Sequence, residues 1–417
     1  MKILFLLTQD LESPSGAGRY FPLARELAAL GNQVTIAALH SDYAALSEKR
    51  FQREGVDVQY VAQMHVRKKG DRKTYFSFFG LIPIALWAAW KLSLIALRVP
   101  ADIIHIAKPH PMNSLAGLVA KILRRRVVFL DCDDHEASSN RFSAKWQQYG
   151  VAFFENYTPR YVDHVTTHNT FLQNRLLEIG VPSKKITYLP NGVDIKRFAG
   201  VNDIRVNELR RLLGLEGREV VAYIGSLSAP AHSVDLLLNA FQRLHLLLPS
   251  SLLLVVGGGE EFDRLQEVTH SLGLSNAVRF TGRVSSAEAP LYYRLADVVV
   301  DPVYDEPAAR GRLPLKMFES WISGTPFLTG DVGDRRMVMG EPPAGLLVPA
   351  GDAQAIADAL HALLRDPMLA ETLRQRGLRR AQDYTWDKLA QELDEVYRCC
   401  LERSSHLPFA RRFGRDP

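Results

Sequence analysis

Cysteine is scarce in this chain, with three in 417 residues: Cys132 and the adjacent Cys399 and Cys400. Neighbouring cysteines make a poor disulfide, so a reducing compartment is expected rather than a cross-linked framework. The sequence also lacks zinc-ligand spacing, a helix-turn-helix pattern and an aromatic-plus-basic RNA signature, which argues against a nucleic-acid partner. A strong charge surplus is missing too. The net charge of +5 is compatible with anionic substrates or a membrane surface. The opening MKILFLLTQD lacks the long apolar core of a signal peptide, and Asp10 and Glu12 follow at once, so it is read as a first buried strand.

What is present is the composition of a folded protein, 47% apolar and 23% charged, on a chain too long for one core. Two domains are expected. The first half alternates strand and helix patterns: strand 3–7, helix 21–30 ended by Gly31, strand 34–39. Further strands are expected at 58–61, 103–106, 127–130 and 164–167, with a helix over 117–123. Such alternation implies a parallel sheet with ligands at the carboxyl ends of its strands. The first loop carries Gly16-Ala17-Gly18, which either brings backbone N–H groups close to a ligand or simply makes a loop. The third glycine and the later acid of a dinucleotide fingerprint are missing, which disfavours a nicotinamide dehydrogenase.

Polar clusters follow three of these strands, at 108–110, 131–136 and 167–169. The second holds Asp131, Asp133, Asp134, His135 and Glu136. That is enough acid for a metal, but without the glycine and distal glutamate of a calcium loop. It is read as an active-site rim with His135 toward a sugar hydroxyl, while His110 and His168 are read as structural. Residues 66–73, VRKKGDRK, then precede an apolar stretch over 75–99 that is interrupted by Pro83 and Lys91 and carries Trp87 and Trp90. Two readings stand. One is a helix lying on a membrane through 66–90, with its basic flank on anionic lipid. The other is a crossover helix packed on the sheet.

The second half repeats the pattern. LPNGVD at 189–194 is a turn between the halves, followed by strands at 220–224, 252–256, 278–280 and 296–300 and a helix over 234–247. Two such units imply a cleft between them. A helical pattern fills 385–401, before a basic tail over 402–417 that is expected to be disordered. The most telling segment is RLPLKMFESWISGTPFL at 312–328, where Lys316 and Glu319 open an amphipathic helix. An ammonium and a carboxylate on one face suit a phosphate and a ribose diol, or they pair with each other at the surface.

In order and spacing, several segments resemble retaining glycosyltransferases of family 4. These are 14–18, LPNGVD, YIGSLS at 223–228, VVGGGEE at 255–261, VRFTGRV at 278–284 and LPLKMFESWISGTPF at 313–327. The fold implied is GT-B: two Rossmann-like α/β domains facing each other across a cleft. The resemblance implies an acceptor domain over 1–195, a nucleotide-sugar domain over 196–384, and a helix over 385–401 that crosses back. It implies Glu319 on the donor ribose and Gly282, Arg283 and Val284 around the base. It also implies Gly16, Ala17 and Gly18 on the diphosphate and His135 near the transferred sugar. Its front-face chemistry, which retains the anomeric configuration, calls for no protein nucleophile, no metal and no other cofactor. The expected partners are a nucleotide-sugar donor and a glycan or lipid-linked acceptor. The setting implied is cell-surface polysaccharide or glycolipid synthesis, cytoplasmic and peripheral on the inner face of a membrane.

The chain departs from the family pattern in three places. Of two glutamates eight apart, the first is replaced by Gly311, as in a Pro-x-Lys-x-x-Glu subgroup. Ser226 fills the slot of a phosphate-binding arginine, and Ala231 or His232 that of a lysine. Lys316, with Arg310 and Arg312 nearby, is expected to supply the missing charge. The absent cations also motivate a second reading, a sugar-nucleotide-binding protein with weak or no catalysis. An epimerase of the same fold ranks behind both, because it places acids and histidines differently.

Overall fold

Apolar runs buried on both faces dictate the architecture. In the strand β1 (Lys2–Leu7) every residue after Lys2 is buried, which requires covered faces on both sides of a central parallel strand. The computed structural model describes residues 1–69, 72–140, 142, 144–228 and 232–406. Its first sheet adds β2 (Gln33–His40), β3 (Arg50–Arg53), β4 (Val56–Gln63), β7 (Ile103–Ala107), β8 (Val127–Cys132), β9 (His164–Thr167) and β10 (Ile186–Tyr188). The order is β10-β9-β8-β7-β1-β2-β4-β3, parallel except for the β3–β4 pair. A separate hairpin joins β5 (Val66–Lys69) to β6 (Arg72–Tyr75). The second sheet contains β11 (Glu219–Ile224), β12 (Ser251–Val256), β13 (Val278–Gly282), β14 (Val298–Asp301), β15 (Phe327–Gly330) and β16 (Leu346–Val348). Its order is β13-β12-β11-β14-β15-β16, parallel throughout. Strand order reverses between β1 and β7 and between β11 and β14, and those crevices are where ligands of such sheets bind.

The C-terminal helix Trp386–His406 returns to the first sheet, where Trp386, Leu389, Ala390, Leu393 and Tyr397 enter the same core as Phe5 and Phe129. Tyr397 is fixed there by His105 Nδ1 at 2.6 Å, and Asp394 accepts from Asn32 at 2.7 Å. The helix runs five residues past 401, so the start of the segment expected to be disordered is helical. The rest of that tail, from 407, lies outside the described residues, as do Ala231 and two positions of the basic flank, Gly70 and Asp71.

The apolar stretch over 75–99 forms the helix Phe78–Arg98. Ala88, Leu92 and Ala96, four apart, are buried in a core shared with β1, β2 and β7. The crossover reading therefore holds for this face. The opposite face is not covered: Trp87 is 52% and Trp90 50% exposed.

A buried ion pair ties three parts of the first half together. Arg19 grips Asp131 at the end of β8 through two bonds of 2.8 Å, and also donates to Asn191 and to the carbonyls of Leu189 and Pro190. Tyr20 and Thr166 complete the Asp131 shell. Burial alone would raise the Asp131 carboxyl, but Arg19 holds it well below the usual carboxylate range.

Candidate donor site between the two sheets

The site is built where β11 and β14 end. β14 reads Val-Val-Val-Asp, and its last residue, Asp301, is fully buried. Its carboxylate faces three cations: Lys316 at 3.0 Å, Arg335 at 3.1 Å and Arg312 at 3.4 Å. Burial works against ionisation, yet these cations hold Asp301 well below the usual carboxylate range. Asp134 also acts on Arg312 and Asp334 on Arg335, so the cluster gathers three cations among several carboxylates in a weakly screened setting. Burial in turn pulls the Lys316 ammonium down to about 8. That ammonium also lies over the Tyr223 ring at 4.1 Å, and it is 3.1 Å from where a side chain at Gly225 would begin. The turn after β11 thus rests directly on Lys316. A side chain at Gly257 would come within 1.8 Å of the Gly225 carbonyl, and its φ of +144° also favours glycine.

The predicted residues divide clearly. Lys316 and Arg312 join the cluster, and Arg312 bonds His232 Nδ1 at 2.8 Å. A guanidinium therefore reaches His232, one of the two positions read as the slot of the missing lysine. Arg310 does not join: it is exposed and paired with Asp305 at 2.6 and 2.9 Å. Ser226 bonds Ser228 at 3.1 Å, and its carbonyl accepts from Tyr223. Gly282 closes β13, with Arg283 and Val284 following it, and the Gly282 carbonyl accepts from Gly257 N–H. Lys316 and Glu319 do not pair with each other. Glu319 instead accepts from Arg197 and, at 2.6 Å, from the Tyr293 hydroxyl.

The first glycine loop needs correcting. Gly16–Tyr20 forms one π-helical turn leading into the helix Phe21–Ala29, and it is not an open loop. The amides of Gly16 and Ala17 are taken by the Ser13 hydroxyl and carbonyl, so they do not face a diphosphate as expected. Gly18 packs against Leu315, with room for no side chain: a Cβ there would sit 2.5 Å from Leu315 Cδ1.

On the first-sheet side, Lys108 supplies a cation to the acid cluster. Its ammonium lies 3.0 Å from Asp133, 2.6 Å from Asp134 and 2.8 Å from Glu136, the three residues whose spacing could hold a metal. Asp10, Glu12 and His40 form a second such group among the described residues. His110 bridges Thr8 and Glu136, and buried His168 accepts the Leu313 N–H at 2.9 Å, in keeping with structural roles. His135 bonds Ser138, and burial lowers its imidazole to about 4, so it is neutral at physiological pH.

His135 also explains the missing glutamate. A Cβ at Gly311 would lie 2.9 Å from His135 Cβ and 3.2 Å from the Pro307 carbonyl. Gly311→Glu is therefore expected to destabilise the fold by about 1–3 kcal/mol rather than restore an active-site acid. Urea denaturation of G311E beside the parent measures this. The segment carrying Gly311 is clamped by the first half: Asn169 donates to Gly311 O at 2.9 Å and Asn191 to Leu313 O at 2.6 Å. Asp334 accepts from Thr170 N–H at 2.7 Å and from Tyr188 at 3.2 Å.

A family profile described as "Glycosyltransferase Family 4" fits residues 14–197, and one described as "Glycosyl transferases group 1" fits residues 218–366. The two halves therefore match glycosyltransferase family models, and the chain as a whole is family 4-like. It is 30% identical over 240 residues to a GDP-mannose-dependent alpha-(1-6)-phosphatidylinositol monomannoside mannosyltransferase of Mycobacterium tuberculosis, covering 57% of this chain and 62% of that protein. Over 226 residues it is 33% identical to a D-inositol 3-phosphate glycosyltransferase of Salinispora arenicola, covering 51% of this chain and 49% of that one. The chain thus spans less than two thirds of these relatives' length. Its fold is shared with sucrose-phosphate synthase from Thermosynechococcus elongatus, at a TM-score of 0.76 and 21% identity over 97% of this chain and 100% of that one. Anabaena HepE in complex with UDP-glucose gives 0.71 and 20% over 96% and 100%. Both sheets therefore have the GT-B arrangement.

Sequence reasoning missed Asp301, Arg335 and Arg197. An acid closing an apolar strand was a usable signal for Asp301, because a buried carboxylate needs cations near it. Arg335 and Arg197 follow no pattern that the sequence exposes.

Proposed function

We propose that this protein is a retaining glycosyltransferase that moves a sugar from a nucleotide-sugar donor to a glycan or lipid-linked acceptor in cell-surface polysaccharide or glycolipid synthesis. The observation that carries this reading is the gathering of three cations on buried Asp301, with Lys316 one helical turn from Glu319. In the proposed step the bond from the anomeric carbon to the diphosphate breaks. The acceptor oxygen bonds that carbon on the same face, and its proton passes to the departing phosphate. Lys316 and Arg312 stabilise the charge that develops on the diphosphate, in place of the cations missing at Ser226 and at Ala231 or His232. Glu319 binds the ribose, Gly282–Val284 border the base, and His135 donates or accepts at a sugar hydroxyl. No metal is required in this scheme, since the leaving-group charge is met by side chains. The kinship to a protein named for GDP-mannose and a phosphatidylinositol monomannoside supports a glycolipid acceptor, while kinship to one named for D-inositol 3-phosphate supports a soluble polyol phosphate as the alternative. The test is incubation with a panel of nucleotide sugars and membrane lipid extract in EDTA, with the anomeric configuration of the product read by NMR. Transfer with retention is expected. Binding of nucleotides without hydrolysis or transfer would favour the catalytically silent reading.

We further propose a cytoplasmic location on the inner face of a membrane. The uncovered side of Phe78–Arg98 supports it: Phe79, Leu86, Trp87 and Trp90 are exposed, and Lys91 lies over both tryptophans. Ile122 and Leu123, on the helix packed against Phe78–Arg98, are exposed as well. Tryptophan rings favour the interface of a bilayer, and nearby basic residues favour anionic lipid. Vesicles containing phosphatidylglycerol are expected to float the protein at low salt. Trp87→Ala with Trp90→Ala should reduce the floated fraction severalfold, and 0.5 M salt about as much. A parent protein that stays at the bottom of the gradient at low salt contradicts the membrane role.

A further inference from the structure

The structure assigns a role to Arg197, a residue that neither motif nor resemblance singles out. We propose that Arg197 is a positioning residue for the ribose carboxylate: its guanidinium fixes Glu319 so that one acceptor site on each carboxylate oxygen remains for the two hydroxyls of a nucleoside ribose. This rests on the donor reading given above.

Three observations carry it. First, the contact is specific and sheltered. Arg197 Nη2 donates to Glu319 Oε1 while the Tyr293 hydroxyl donates to Oε2, with both charged side chains about 15% exposed. An ionised carboxylate accepts about four hydrogen bonds. Two are used, one on each oxygen, and two remain side by side, which is the demand of a vicinal diol. Second, Arg197 is itself held from both sides. It lies on the short helix Ile195–Phe198, whose flanking Asp194 is clamped by Arg25 at 2.8 and 3.0 Å. Lys196 pairs with Glu26 at 3.0 Å, and Phe198 packs on Tyr293 with ring centroids 6.0 Å apart. The guanidinium also stacks on Phe198 at 5.0 Å. Third, Arg197 Nε is buried without a hydrogen-bond partner among the described residues, so the guanidinium's side-chain bonding among them is committed to Glu319. The same short helix thus ties Glu319 to the helix Phe21–Ala29 of the first half.

The test is calorimetric titration of UDP, GDP and ADP, and of their 2′-deoxy counterparts, into the full-length protein and its R197A, R197K and R197Q variants. For whichever base binds, the parent is expected to prefer the ribonucleotide by about tenfold or more, the usual effect of one charge-assisted hydrogen bond. R197A should lower that preference to below about threefold, because an unanchored carboxylate no longer aligns with both hydroxyls, and R197K should restore part of it. A merely structural arginine would change overall affinity or the unfolding midpoint and leave the ribose preference intact; that result overturns the proposal. If R197A does not fold, R197Q carries the same comparison with the same expected loss. Failure of every nucleotide to bind the parent overturns the donor reading, and this proposal with it. That outcome is distinct from binding with an unchanged preference in the variants.

Discussion

Lys316→Met is expected to lower kcat/KM for the donor by about 10²–10³-fold, the range seen when one preorganised stabiliser of developing charge is removed. Stability should change far less. Asp301 keeps Arg335 at 3.1 Å and Arg312 at 3.4 Å, and the methionine stem retains the packing on Tyr223. Steady-state kinetics beside a thermal melt separates the two effects. The pH dependence follows from burial, which lowers the Lys316 ammonium from near 10.5 to about 8. Between those values the unfolded chain holds a proton that the folded chain has released, so this group makes stability rise with pH through that window. Donor affinity runs the other way. A neutral Lys316 attracts a diphosphate less, so binding should weaken as pH rises through about 8. The Met variant should lose that limb.

Arg19→Ala should produce the largest loss of stability in the chain, about 3–5 kcal/mol, because it leaves the Asp131 carboxylate buried without its cation. Arg19 and Asp131 are each about 1% exposed, so water cannot compensate. The replacement also empties the bonds to Leu189, Pro190 and Asn191, and Asn191 in turn holds Leu313. The damage should therefore reach the segment that carries Lys316. Arg19→Met combined with Asp131→Leu should recover most of the stability, since it removes both charges together. Chemical denaturation of the two variants decides this. Equal instability in both would mean that packing, not the charge pair, sets the cost.

The strands were the most legible part of the sequence, because buried parallel strands are nearly continuous apolar runs. Val220–Ile224 and Leu252–Val256 stand within β11 and β12, and the helix Val234–Leu247 follows from a clear apolar face. The edge strands β3 and β10 were not legible: Arg50–Arg53 is mostly polar and Ile186–Tyr188 has three residues. The site was partly readable. Lys316 and Glu319 declare themselves by spacing, but their partners come from distant positions, Asp301 and Arg197, and only the fold brings these together. Arg310 and Arg312 look equivalent on paper, yet two positions along an irregular turn send one to Asp305 and the other to Asp301. The glycine loop misled for a similar reason. Its amides are bonded to Ser13, a contact that composition does not reveal.

Titration calorimetry of nucleoside diphosphates at pH 7 tests the donor site most directly. At least one of UDP, GDP and ADP should bind the parent protein, and Lys316→Met should weaken that binding by about tenfold or more, as expected for a charge-assisted contact to phosphate. Binding that is indifferent to Lys316, or no binding by any of the three, would contradict a donor diphosphate held over the Asp301 cluster.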